Sequence, residues 1–335
     1  MSNYNRDSGF GRAILSNLHN IVPSFGRVFV VFDPDDTANP SYDIMMRLMD
    51  SDPMGVIRFQ TTLDGAYDQI YSNNNDVILL DAYSQHTLTS VLAMSKNRFH
   101  IFGMDGVNGR VQGQRARIAI GGTGATNTSA IRMTGVGCSF RNLKISSSNT
   151  STSALWAFED GGEFFVAENC HFVREGVLTT TTAADILLNG DSSHYKNCMF
   201  GYTSQAITAN GNRPCVDLGR EQITGKVARD VIMDDCIFLR QSKDADNSFI
   251  YASGATDVER MFLLRNPIFW SDALSTTTMD ECISGAASLT TGQILAMNPV
   301  AVKTPASIST TTGVFVMGYT PDATGAAAGI AIQAA

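Results

Sequence analysis

Five short segments of this chain share one pattern, and their spacing limits the fold more than any other feature of the sequence. They are Phe140-Arg-Asn-Leu-Lys-Ile145, Ala167-Glu-Asn-Cys-His-Phe172, Tyr195-Lys-Asn-Cys-Met-Phe200, Met233-Asp-Asp-Cys-Ile-Phe238 and Leu264-Arg-Asn-Pro-Ile-Phe269. Each reads as Asn or Asp, then a small or apolar residue, then any residue, then a large apolar one. The Asn/Asp positions, Asn142, Asn169, Asn197, Asp235 and Asn266, lie 27, 28, 38 and 31 residues apart. A period in the twenties and thirties is one coil of a solenoid, in which each repeat buries its apolar face only against its neighbours.

Alternation such as Cys170-x-Phe172 puts both side chains on one face of a strand. Coils stacked about 4.8 Å apart therefore predict three vertical rows. Asn142, Asn169, Asn197, Asp235 and Asn266 form an inward amide row whose tolerance of left-handed backbone turns the corner between sheets. Leu143, Cys170, Cys198, Cys236 and Pro267 form the second row, and Ile145, Phe172, Phe200, Phe238 and Phe269 the third. The longer interval before Asp235 predicts an insertion over Thr208–Lys226 that loops out from the surface. Asp76–Leu80, Phe99–Ile101 and Ala130–Thr134 extend the alternation backwards, giving roughly seven coils between Asp76 and Cys282. Before the first coil, Thr61–Tyr71 reads as a helix with Leu63, Tyr67, Ile70 and Tyr71 on one side, covering strand edges that would otherwise invite aggregation.

The expected fold class is all-β: a right-handed parallel β-helix solenoid with a small α/β N-terminal unit and an extended C-terminal segment. Residues 1–60 form a docking unit, with strands at 27–32 and 55–59 and an amphipathic helix over 42–49 that uses Ile44, Met45, Leu48 and Met49. Residues 1–24 within it read as an arm that orders on a partner. Residues 61–282 hold the cap and coils, and 283–335 a small-residue packing segment. A net charge of −8 with only 17% charged residues argues against binding phosphate backbones or anionic membranes, so neither nucleic acid nor membrane is an expected partner. The polar Met1–Arg12 start reads as neither signal peptide nor anchor. Six cysteines in no metal-binding spacing read as small buried apolar residues of a reducing compartment.

The runs Asp76-Val-Ile-Leu-Leu80 and Lys96-Asn-Arg-Phe-His-Ile-Phe-Gly103 and the Asn-Cys-x-Phe coils resemble the pectate-lyase-like right-handed β-helix superfamily, which includes polysaccharide lyases, glycosidases and phage tailspikes. More narrowly, the chain is similar in style to β-helix virion structural proteins of tailed phages. That resemblance implies a homotrimer on the virion, assembled in the host cytoplasm, with the major capsid protein as partner. The alternative it implies is a tailspike that binds host surface polysaccharide, with glycosidase or lyase activity. A free secreted lyase fits poorly with the sequence start and the cysteines.

A lyase needs clustered carboxylates for calcium and a nearby base. The acidic groups here are Asp33-Pro-Asp-Asp36, read as a solvated turn, Asp244-Ala-Asp246, and Asp234-Asp235, of which Asp234 stands outward and alone. A glycosidase needs two carboxylates about 5–9.5 Å apart, for which Asp160, Glu163, Glu168, Glu175, Asp185 and Asp191 are surface candidates. His171 and His194 are expected to face solvent, with no serine or cysteine set as a nucleophile. Gly103–Gly109 and Gly121–Gly124 lack the Lys-Ser/Thr ending of a phosphate loop and read as coil turns. Trp156 and Phe158 are expected outward, as an intersubunit contact or a sugar shelf. No catalytic residue, metal or cofactor is assigned. The expectation is a non-enzymatic capsid decoration protein.

Overall fold

The computed structural model describes residues 26–33, 35–50, 57–104, 116–121, 128–148, 154–175, 183–207, 212–219, 225–242, 246–271, 279–302 and 307–318. The expected arm over 1–24, most of both glycine-rich turns, Asp244 and the side chains of Ile44, Leu48 and Met49 lie outside them.

The described strands form three sheets, of 11, 8 and 7 strands, and every pairing is parallel. The chain visits sheet 1, sheet 2 and sheet 3 in turn and returns one rung higher. One turn of the stack runs through Val166–Glu168, His171–Arg174 and Ile186–Leu188. Parallel neighbours need such crossovers, which are right-handed in nearly all proteins. The result is an all-β parallel β-helix whose apolar core runs from Phe29 to Ile308.

Strands outside 61–282 join the same sheets. Val28–Val31 lies between Ile57–Gln60 and Asp76–Leu80 at one end of sheet 1. Gly292–Met297 and Val314–Met317 close the other end. Helix α1 (Tyr42–Asp50) covers the outer face of the first rungs. Met45, Tyr42 and Met46 pack there on Val28, Val30, Val77, Leu79 and Phe102, forming a second small core. Asp81 ties the preceding turn down by accepting from Asn39 Nδ2 (2.6 Å) and the hydroxyls of Ser41 (2.7 Å) and Ser84 (2.8 Å). These bonds hold its carboxyl below the ordinary range against the opposing effect of burial.

Helix α2 (Leu63–Gln69) is capped by Thr62, whose hydroxyl accepts from Gly65 N at 3.1 Å. Leu63, Ala66, Tyr67 and Ile70 enter the core and close its first end. Tyr71 does not join them. It is 64% exposed, beyond the helix C-terminus, with the Arg27 guanidinium over its ring at 3.6 Å.

The expected surface insertion is corrected in part. Val216–Leu218, inside the 208–226 interval, is a sheet 3 strand paired with Ile186–Leu188 and Ile250–Ala252. Cys215 and Val216 are fully buried. The added length accompanies a longer sheet 2 strand, Met199–Ile207, with a register shift between Tyr202 and Ala206. Within that strand Gly201 has φ +86°, and a Cβ there would stand 2.1 Å from the Leu239 carbonyl, so only glycine fits.

Candidate functional site

The repeat positions superpose rung on rung. Phe172 pairs in register with Ile145 and Phe200, and Phe238 with Phe200 and Phe269. Ring centroids of Phe172, Phe200, Phe238 and Phe269 stand 5.5, 5.2 and 5.1 Å apart, all stacked. Cys170, Cys198 and Cys236 follow one another as backbone acceptors, from Met199 N (2.8 Å), Ile237 N (2.9 Å) and Ile268 N (2.9 Å). All six cysteines are buried free thiols, and burial pushes Cys198 well above the ordinary thiol range.

Asn142, Asn169, Asn197, Asp235 and Asn266 all adopt φ between 50° and 55°. Asn169 donates to Asn142 Oδ1 at 3.3 Å and Asn266 to Asp235 Oδ1 at 3.1 Å. The row is not inward. It sits at the corner between sheets 1 and 2, half-buried, with Asn266 exposed. Asn298, also at φ 50°, extends it by donating to Asn266 at 3.2 Å. Its signal, Asn298-Pro-Val matching Asn266-Pro-Ile one period later, stands in the sequence.

Each of the six candidate carboxylates has a bonded partner. Glu163 meets Lys226 (2.9 Å), Asp191 meets Arg229 (3.4 Å), and Glu175 meets Arg117 (2.5 Å) and Lys144 (2.6 Å). Glu168 lies between Arg141 (2.7 Å) and Lys196 (3.8 Å). Asp160 and Asp185 are not on the surface at all; both are fully buried. Asp160 accepts from Tyr195 Oη at 2.7 Å, and burial raises its pKa to about 6. Asp185 pairs with Arg240 at 2.7 Å and accepts from Arg174 N at 2.8 Å.

Three outward expectations are also corrected. Phe158 is inside the core, because it alternates with Glu159 on the strand Phe158–Asp160 and takes the inward position. Trp156 is 1% exposed, covered with Ala184 and Leu187 in a separate apolar cluster beside sheet 3. Neither can serve as a surface contact. His171 is 1% exposed and its Nε2 donates to the Gly201 carbonyl at 2.9 Å. Asp234 does face outward but is not alone, binding His194 at 2.7 Å and Arg265. The Asp33–Asp36 turn is held by Asp35 N donating to Asp33 Oδ1 at 3.0 Å. Among the described residues, no three His, Cys, Asp or Glu side chains converge to hold a metal ion, and no helix is long and apolar enough to cross a membrane.

Register makes the outer face of sheet 1 a ladder of alternating charge: Arg141, Glu168, Lys196, Asp234 and Arg265 occupy successive rungs. Past Arg265 the row becomes Met297 and Met317, the latter 53% exposed, beside the neighbouring Phe315 at 50%. The outer face of sheet 3 carries a groove of about 710 Å³ lined by Asn212, Asp246, Tyr251, Asp280, Glu281, Ser284 and Thr310 among others. Tyr251 and Ser284 are register partners on adjacent rungs. Asn212 donates to Ser284 Oγ at 3.0 Å and accepts from Ser248 N at 3.2 Å, while Glu281 accepts from Thr310 Oγ1. No repeat marked these residues in the sequence.

No family model and no curated protein matches this sequence. Solved structures do match. A pectin methylesterase from Aspergillus niger is 10% identical with a TM-score of 0.51, covering 88% of this chain and 84% of its own. A pectin methylesterase from Erwinia chrysanthemi (10% identity, TM-score 0.44, 88% and 93% covered) and a pectate lyase (9%, 0.38, 81% and 79%) are more distant. The fold therefore defines a right-handed parallel β-helix protein. Its likeness to the Aspergillus enzyme is one of fold, since identity near 10% transfers no active site.

Proposed function

We propose that this protein is a non-enzymatic structural component of a tailed-phage particle: a homotrimer that decorates the head and cements it by contact with the major capsid protein. The observation that carries the reading is the state of the six carboxylates. Four are ion-paired with Lys or Arg from other rungs and two are inside the fold, so none stands ready as an acid, base or nucleophile. Continuous ladders, a stacked aromatic core and a closed first end suit a part that must resist stress. The exposed Trp270, Phe315 and Met317 supply apolar contact area of the kind assembly buries. Counting copies per purified particle by quantitative mass spectrometry tests the proposal. Hundreds of copies in a fixed ratio to the capsid protein support it, and a handful confined to a tail vertex overturn it.

A second reading, a spike that binds host surface polysaccharide, is favoured by the sheet 3 groove and accords with the fold shared with a pectin methylesterase. The same count separates the two.

A further inference from the structure

We propose that the groove on the outer face of sheet 3 binds an oligosaccharide of neutral or amino-substituted rings and rejects uronic ones. This names the ligand class of the second reading and rests on it.

The volume, about 710 Å³, falls among the roughly 300–1,000 Å³ of small-ligand sites. Its lining combines what a sugar ring needs: one aromatic face, Tyr251, for the apolar C–H surface, and hydroxyl and amide groups at Ser284, Thr310 and Asn212 for the ring hydroxyls. The floor is preset. Tyr251 sits on a strand paired on both sides, with Asp217 and Ser284 as its register partners. The Asn212 side chain is already fixed by Ser248 and Ser284. A site ordered before binding loses less entropy on occupation.

Charge sets the selectivity. Asp280 and Glu281 line the groove, and none of its described lining residues is Lys or Arg. In a chain of net charge −8 such a concavity holds a negative potential, which repels uronate rings and attracts ammonium groups. A bare metal ion is a poorer occupant, since these carboxylates do not converge on one point.

Calorimetric titration of the full chain at low salt with tetramers of N-acetylglucosamine, glucosamine and galacturonic acid tests this. The first two bind, glucosamine several-fold tighter with an advantage that salt erases, and galacturonate does not bind. Tyr251→Ala weakens both binders about ten-fold. Asp280→Asn, at an exposed position, keeps the fold and lowers the glucosamine preference several-fold. Galacturonate binding as tightly as glucosamine overturns the ligand class but leaves a saccharide-binding spike standing. Binding by none of the three overturns both. Unchanged affinity in a folded Tyr251→Ala, or an unchanged glucosamine preference in Asp280→Asn, overturns the assignment of the groove.

Discussion

Asp185 Oδ2 lies 2.7 Å from an Nη of Arg240, 55 positions later in the chain, and both side chains are all but sealed from solvent. The pair sits at the corner where sheet 2 gives way to sheet 3, beside Arg174 and Cys215. Burial pushes the carboxyl up and the Arg240 charge opposes it. Removing one partner strands the other charge in a dry site. Arg240→Met is expected to cost roughly 3–5 kcal/mol, and the double change Arg240→Met with Asp185→Leu to recover much of it. Urea unfolding of the three proteins checks this; equal losses in single and double variants would contradict it.

Asp160 gives the fold a pH dependence. Its folded pKa of about 6 lies above the ordinary aspartate value of 3.8, so its stabilising contribution is complete below the unfolded pKa. It is lost as pH rises through about 6, where the buried carboxyl must ionise. Asp160→Asn, still able to accept from Tyr195, should gain up to roughly 3 kcal/mol relative to wild type between pH 4 and pH 8. Melting curves at both values read the difference. A constant offset between the two proteins would count against a raised pKa.

The Asn corner combines backbone geometry with amide bonding. Asn169→Gly loses the bond to Asn142 but adopts the positive φ without strain, whereas Asn169→Ala loses the same bond and keeps a Cβ in a left-handed conformation that costs about 1–2 kcal/mol without the polar side chain that lets asparagine tolerate it. Alanine should therefore destabilise more than glycine, a reversal of the usual order inside strands. Melting temperatures ranked the other way would contradict the corner geometry.

In the stacked aromatic row, Phe200→Leu leaves an apolar side chain and should be tolerated with a loss of about 1–3 kcal/mol. Phe200→Asp puts an unpaired charge among Phe172, Phe238 and Tyr195 and should abolish soluble protein. Expression and sedimentation distinguish them, and a soluble aspartate variant melting like wild type would be inconsistent with the stack.

Why the architecture was legible and the surface was not follows from what repeats. Cys170, Cys198 and Cys236 occupy equivalent places because every coil must fill the same interior, so the period is written in the residues. The inward place of Phe158 is not legible because its strand, Phe-Glu-Asp, buries an acidic residue at the next inward position, and the apolar cluster around Trp156 makes even an outward position dry. Charge alone points Asp160 and Asp185 to the surface, yet the interior admits a hydrogen-bonded carboxylate where Tyr195 or Arg240 arrives from another coil. Such a partner, 35 or 55 residues away, leaves no local signature. The groove was invisible because Asn212, Tyr251, Asp280 and Thr310 come from four coils without a shared pattern.

Whether any of these carboxylates performs chemistry is read by assaying purified protein for reducing-end or unsaturated-sugar release from host surface polysaccharide. Wild type is run beside amide variants of Asp160, Glu163, Glu168, Glu175, Asp185 and Asp191. No release is expected from any of them, with melting temperatures shifted most at Asp185. Release by wild type that disappears in one folded amide variant would contradict it.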